Sequence, residues 1–441
     1  MAQKLKVLFI PLDGIGHINS AIGMAQVLIK AGHECWFGVE IQWTNMLANY
    51  GIQTCLWPSL PIYKDNTSKS LSENSKEKSV FLMKVLGIVG NRLTPAEKCM
   101  ASIKRMNQLT IMFGQLFDDN VYRAIHEVQP DIIVTDQIKP LPSVIKSGIP
   151  WVMVCASNPL TMLSDHRTPP PHLGLPTNGP KDNWPKLISE IINGINENNS
   201  QLNYYKQMTI ELLFYGELYP KSQFLNIYDF PLELDYHDIR PLPDNWYRFD
   251  NFMRKDISNE SFIMPEQLRD KPGKVIYFSF GSICSVDVNN MKRLIAILLK
   301  SQNVFIVSKG PLGDEYDLTD NMWGQTSVPQ TQVLPLVDLV ISHGGNNTIT
   351  ECFYFGKPMI VMPLFGDQFD NAQRVHEKGF GIRLDAYKCS EKELLTTIET
   401  LLNDKELNEK MQKISQRIKA ENNLTKLPQL FENVVNKYKH K

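Results

Sequence analysis

"KVLFIPLDGIGH" (residues 6–17) and "KVIYFSFGSICS" (residues 274–285) share one design: a continuous apolar run of strand length that enters a glycine-containing loop. Each is followed by an apolar-periodic segment, Ile18–Ala31 and Asn289–Lys300, that reads as a helix. A strand without polar interruption suits a parallel sheet covered on both faces, and strand, loop and helix in repetition is the βαβ pattern of such sheets. The chain is therefore expected to be α/β, with two Rossmann-like, doubly wound parallel-sheet domains and a cleft between them.

Working outward, further strands are expected at His33–Val39, Ile132–Thr135, Trp151–Cys155 and Phe224–Ile227 in the first half. In the second half they are expected at Val304–Ser308, Leu339–Ser342, Met359–Met362 and Gly381–Leu384. The stretch from 241 to 274, rich in proline, charge and asparagine, marks the junction. The expected division is a first domain at 1–250, a linker at 251–265, a second domain at 266–425, and an amphipathic helix at 426–441 that packs back toward the first domain. Residues 62–80 are polar and read as a mobile loop. "DHRTPPPHLGLPTNGPKDNW" (165–184) is too proline-rich for regular structure and is a candidate border of the cleft.

The 441 residues suit two domains, and 43% hydrophobic with 21% charged residues provide for two cores. With 46 Lys and Arg against 47 Asp and Glu, there is no electrostatic footprint for nucleic acid or an anionic membrane, so a small molecule is the expected partner. Seven cysteines without a Cys-x-x-Cys pair support neither a zinc site nor a disulfide framework. Free thiols, the lack of a signal-peptide pattern and the lack of a bilayer-length apolar run point to a cytoplasmic protein, taken as a monomer.

The chemistry concentrates in "SHGGNNTITE" (342–351). The strand Leu339–Ser342 delivers glycines and asparagines to a turn, and Ile349 to Phe355 continue as a helix that Gly356 ends. Free backbone N–H groups and the helix dipole at such a start attract an anion, with a diphosphate as the natural guest. Glu351 is suited to a ribose or to a capping box with Thr348. On spacing alone, a plain glycine-rich helix start fits equally well.

The wider pattern resembles a family. Pro329-Gln330, His343-Gly344-Gly345-x-Asn347-Thr348, Glu351, Gly356-Lys357-Pro358, Pro363 and Asp367-Gln368 are similar, in order and spacing, to the signature of UDP-glycosyltransferases of the two-domain GT-B type. Gly16-His17, Asp136 after "PDIIVT" and the "FSFGS" loop also sit where the family has equivalents. The resemblance implies that His343, Gly345, Asn347 and Thr348, with Ser282, hold the donor diphosphate. It implies that Val328 and Gln330 read the base, that Glu351 holds the ribose, and that Asp367 and Gln368 hold the sugar. Neither a cofactor nor a metal is implied beyond the UDP-sugar itself. Two departures bear on the donor: Ser327 and Asn346 stand where many members carry Trp. A dTDP-deoxysugar donor thus stays open beside UDP-glucose, as do a non-catalytic nucleotide-sugar or lipophile-binding protein and an isomerase or hydrolase of nucleotide sugars.

His17 opens the first helix, where the dipole disfavours imidazolium, so it is expected neutral near pH 7 as a general base must be. Without the resemblance, a histidine after a Gly-x-Gly turn is more often a capping or packing residue. With it, Asp136 orients His17 and stabilises the imidazolium as an acceptor hydroxyl attacks the anomeric carbon with inversion. The "GIG" of 14–16 is no dinucleotide fingerprint, since Asn19 stands at the third glycine position. "FLMKVLGIVG" (81–90) and "IMFGQLF" (111–117) supply Met, Phe, Leu and Ile for a pliable acceptor pocket, or for an ordinary core. The chain resembles the bacterial and plant forms that glycosylate small lipophilic molecules such as macrolides and flavonoids, in biosynthesis or detoxification.

Overall fold

The computed structural model describes residues 4–58, 76–77, 79–81, 83, 93–139, 141–196, 220–257 and 261–439. Within them, two sheets are built from parallel neighbours throughout. The first has seven strands: β1 (Lys6–Ile10), β2 (Glu34–Glu40), β3 (Gln53–Trp57), β4 (Ile132–Thr135), β5 (Trp151–Cys155), β6 (Leu225–Asp229) and β7 (Trp246–Phe249), in the order β3-β2-β1-β4-β5-β6-β7. The second has six: β8 (Val275–Ser279), β9 (Val304–Ser308), β10 (Met322–Gln325), β11 (Leu339–Ser342), β12 (Met359–Val361) and β13 (Gly381–Arg383), in the order β10-β9-β8-β11-β12-β13.

The central strands bear out the expectation from apolar runs: β4, β5 and β11 are buried at every position. Three strands were not expected, and all three lie at sheet edges. β3, β7 and β10 are half-buried mixtures, "QTCLW", "WYRF" and "MWGQ", because an edge strand meets solvent on one side and needs no continuous apolar run.

In each sheet the winding reverses, between β1 and β4 and between β8 and β11. A crevice opens at the carboxyl ends of strands at such a reversal, where doubly wound sheets place their ligands. The helices that position the site are α1 (Ile15–Lys30) after β1, α2 (Pro95–Val128), α3 (Asn346–Phe355) after β11, α4 (Gln368–Glu377) after β12, and α5 (Leu427–Lys439). Thr94 and Glu97 close a capping box at the start of α2.

Segment 251–257, expected as a linker, lies against α1. Gln26 and Lys255 exchange two hydrogen bonds of 2.8 Å, and a Cβ on Gly23 would sit 2.0 Å from the Phe252 carbonyl oxygen. Leu424, Leu427, Phe431 and Val435 are buried in the same core as β1 and α1 of the first domain. All seven cysteines are buried free thiols. No helix among the described residues is long and apolar enough to cross a membrane. Positions 62–75, 78, 82 and 84–90, and the side chains of 111 and 112, lie outside the described residues, and with them the expected mobile loop and most of the expected acceptor pocket.

The two domains touch at α4. Arg374 is 1% exposed, and its guanidinium donates to the Leu234 and Asp235 carbonyls, at 2.7 and 2.6 Å, and to Asp238 at 2.8 Å. One turn earlier, Asp370 accepts the backbone N–H groups of His172 and Gly174, at 2.6 and 2.9 Å. The proline-rich stretch 165–184 therefore does border the contact between the domains.

Candidate active site

β1 and β4 end side by side, Ile10 opposite Thr135, and the residues that follow them meet. Asp136 accepts the Leu12 backbone N–H on Oδ1 at 2.5 Å and lies 2.6 Å from His17 Nδ1 through Oδ2. Its side chain is 8% exposed and that of His17 is 32% exposed. A carboxylate held on both oxygens cannot turn away, so it fixes the proton on Nδ1 and leaves His17 Nε2 as the basic nitrogen.

The helix terminus alone argues for a weakly basic His17, and here the structure reverses the expectation. Burial lowers its pKa, but the charge and hydrogen bond of Asp136 and the charge of Asp367 outweigh burial and raise it above 6.5. The imidazole is thus a stronger base than a free histidine, at the cost of being protonated over more of the acid range.

The β8 and β11 ends build the opposite wall. α3 begins at Asn346, earlier than the apolar pattern indicates, with Gly345 as N-cap and no side-chain cap. The capping box of Thr348 with Glu351 is not formed. α1 likewise starts uncapped at Gly14 with no acidic residue in its first turn. Two bare helix N-termini therefore meet at the cleft, and the Asn347 amide joins them: Nδ2 donates to the Gly16 carbonyl at 2.9 Å, and Oδ1 accepts from Ser20 Oγ at 3.0 Å. The convergence of free N–H groups makes the place attractive to an anion.

His343 lies between glycines: a Cβ on Gly345 would be 2.7 Å from its Nε2, and one on Gly281 would be 3.0 Å from its ring. Burial drives its pKa down to about 4, against a hydrogen bond to the Ser279 backbone, so the ring is neutral. Among the described residues, its Nδ1 has no hydrogen-bond partner. Ser282 is on the short helix Gly281–Cys284 that begins at that glycine. Gln330 donates to Glu351 Oε2 at 2.6 Å and to Thr348 Oγ1 at 3.2 Å, while Val328, just before it, is 6% exposed. Burial lifts the Glu351 carboxyl to about 7, opposed by Gln330 and by the charge of Arg254.

The structure thus gathers His17, Asp136, Asn347 and Thr348 where strand ends of both sheets converge, with His343, Gln330 and Glu351 beside them. Gln368 is placed differently. Its Oε1 accepts the Leu364 and Phe365 backbone N–H groups at 3.0 and 3.2 Å, so the amide closes its own turn. Asp367 is pushed up to about 6 by burial, opposed by the Asn158 N–H, by His17 and by Asn371. Asn346 is 5% exposed and donates to the Asp229 carbonyl and to Asp229 Oδ1, at 3.1 and 3.0 Å. It is a domain contact with no open face toward a sugar. Sequence reasoning missed Asp229, Asn158 and Asn371. Asn371 stands three residues after Gln368 within the motif and offered a signal; Asp229 and Asn158 sit in ordinary strand-end contexts and offered none.

Comparison with known proteins agrees with this architecture. Residues 261–425 match the family model described as "UDP-glucoronosyl and UDP-glucosyl transferase". A sterol 3-beta-glucosyltransferase from Debaryomyces hansenii is 30% identical over 207 residues, 44% of this chain and 13% of that protein. The chain spans less than a fifth of the length of the sterol glucosyltransferases it matches. The UDP-glucuronosyltransferase 1A1 of Mus musculus is 23% identical over 93% of this chain and 78% of its own length. Among solved structures, the glycosyltransferase of kitacinnamycin superposes with a TM-score of 0.69 at 15% identity, covering 98% of this chain and 100% of that one. The calicheamicin glycosyltransferase CalG4 gives a TM-score of 0.65 at 13% identity, covering 98% and 99%. These likenesses show the GT-B fold, and the match to the UDP-glucoronosyl and UDP-glucosyl transferase model falls on the second of the two domains.

Proposed function

We propose that the protein transfers a hexose, glucose before others, from a UDP-sugar to a hydroxyl of a small lipophilic acceptor, with inversion at the anomeric carbon. The observation that carries this reading is the His17–Asp136 pair, 2.6 Å apart, facing the glycine loop and helix start of the other sheet. The acceptor hydroxyl gives its proton to His17 Nε2 while its oxygen bonds to the anomeric carbon. On the opposite face the bond from that carbon to the diphosphate breaks, and UDP leaves with the electron pair. Asp136 balances the imidazolium as it forms. The N-terminus of α3, with His343, Thr348 and Ser282, receives the charge that grows on the diphosphate. Gln330 and Glu351 take the base and ribose, and Asp367 takes sugar hydroxyls. This chemistry invokes no metal.

The glucose assignment leans on relatives named as glucosyltransferases; others are named as glucuronosyltransferases. Ser327 at the expected stacking position favours one rival, a dTDP-sugar donor, and one structure of this fold, VinC, is a complex with dTDP.

The test is a panel of UDP-glucose, UDP-GlcNAc, UDP-galactose, UDP-glucuronate and dTDP-glucose with mixed phenols and sterols, read by mass spectrometry. The expected product carries one hexose from UDP-glucose, and His17→Ala abolishes it while UDP still binds. Protein that binds UDP yet yields no mass increment with any donor refutes the transfer reading; donor turnover without acceptor points to a hydrolase or isomerase.

A further inference from the structure

Asp367 lies at the mouth of the turn between β12 and α4, and its environment belongs largely to the other domain. Its Oδ2 accepts the Asn158 backbone N–H at 3.0 Å and Asn371 Nδ2 at 3.2 Å. Both bonds converge on one oxygen, and among the described residues no other residue is hydrogen-bonded to Oδ1. The two asparagines are also joined to each other. Asn158 Nδ2 donates to Asn371 Oδ1 at 2.9 Å, Asn158 Oδ1 accepts the Leu160 N–H at 2.9 Å, and Asn371 Nδ2 donates to the Gly344 carbonyl at 2.9 Å. Both side chains are fully buried.

Every one of those amide groups is used, and the directions are forced. Turning either amide over would set oxygen against oxygen or N–H against N–H inside the protein, a costly mismatch where water cannot substitute. The same turn is gripped from the first domain a second time, because the Lys98 ammonium, on the first turn of α2, donates to the Leu364 carbonyl at 2.9 Å.

We propose that Asn158 and Asn371 form an amide relay that aims the free oxygen of Asp367 at the donor sugar, making Asn158, a residue of the acceptor-side domain, a positioning residue for sugar selection. The inference rests on the donor-site reading above and extends it. A carboxylate oxygen with its partner oxygen doubly tied is a fixed acceptor, so it rewards a sugar that presents a hydroxyl there and penalises a deoxy carbon, which would leave it unpaired. Through Gly344 the relay also sets the distance between that oxygen and the glycine loop. Sugar choice is then a property of the assembled pair of domains.

The experiment is a binding cycle by calorimetry with UDP and UDP-glucose on the full chain, for the unsubstituted protein, Asn158→Ala, Asp367→Ala and the double variant, with Asn158→Ser as the milder replacement should alanine fold poorly. In Asn158→Ala, affinity for UDP-glucose relative to UDP is expected to fall about tenfold, the scale of one lost buried hydrogen bond. UDP affinity itself is expected to stay within about twofold, because base, ribose and diphosphate contacts are elsewhere. In the Asp367→Ala background, Asn158→Ala should change the ratio no further. Equal losses for UDP and UDP-glucose, or an undiminished effect without Asp367, would overturn the relay and leave Asn158 as a packing residue. Because the readout is binding, protein that binds UDP-glucose but transfers nothing refutes the transfer reading while the relay is still decided by the cycle.

Discussion

Replacing Asp136 with Asn is the sharpest probe of the proposed base. The substitution keeps the side chain's shape, and the Leu12 N–H, 2.5 Å from Oδ1, requires an oxygen at that position. The amide nitrogen must then face His17 Nδ1, where it can only donate. His17 is forced to accept on Nδ1 and to carry its proton on Nε2, the nitrogen that has to receive the acceptor's proton. The rate at the pH plateau is therefore expected to fall on the order of 10,000-fold, the scale of a wrong-tautomer histidine whose imidazolium also lacks a counter-charge. The charge-assisted bond contributes about 1.5–3 kcal/mol, so loss of the carboxylate should also move the acid limb of kcat/KM to lower pH. The sign follows from the raised pKa of His17: the base form is lost as pH falls through that value, and removing Asp136 lowers it. Initial rates from pH 5 to 9 with the best donor of the panel, beside UDP affinity as a control for folding, measure both effects. A variant with an unshifted acid limb and a rate within tenfold of the parent would refute the assignment of Asp136 as the group that orients His17.

Three other outcomes are expected. Asn346→Trp, which places the residue the family resemblance leads one to expect, should lower the melting temperature and weaken UDP binding without changing the preferred sugar, since the site is closed by Asp229; overpacking of this kind costs ~1–3 kcal/mol beyond the two lost hydrogen bonds. The stability of Asp229→Asn relative to the parent should rise as pH climbs from about 4 to 7. Burial raises the Asp229 carboxyl from 3.8 to about 7, so the folded parent retains a proton that the unfolded chain releases, and stability is lost as pH climbs through that window by up to about 4 kcal/mol; thermal melts across pH show whether the difference grows. Gly23→Ala should destabilise the first domain by about 2 kcal/mol or more in thermal or urea melts, because its methyl group would meet the Phe252 carbonyl.

The parts of the fold that were legible were those whose sequence signal is local and obligatory. β1, β4, β5, β8 and β11 carry unbroken apolar runs because helices cover both faces of the sheet, and the glycines at 344, 345 and 356 stand where the backbone turns. β3, β7 and β10 escaped because an edge strand is under no such rule. His17 and Asp136 were legible as a pair only through resemblance, and the direction of the His17 pKa was misread because a helix dipole is visible in sequence while a carboxylate 119 residues away is not. Asn346 and Gln368 show the same limit from the other side. Both occupy motif positions, yet their amides are committed to Asp229 and to the 364–368 turn, partners that only the packed domains supply.

The placement of α5 has a consequence for how the protein comes into being. Its Leu427, Phe431 and Val435 complete the core of the domain that the chain makes first, beside residues of β1 and α1, although about 170 residues of second domain separate Phe252 from Leu424. At ~5–20 residues added per second, that core stands open for ~10–30 s on the ribosome, long after its own strands have emerged. The order of synthesis and the order of folding are therefore not the same: the core of the first domain is completed only once α5 has been made.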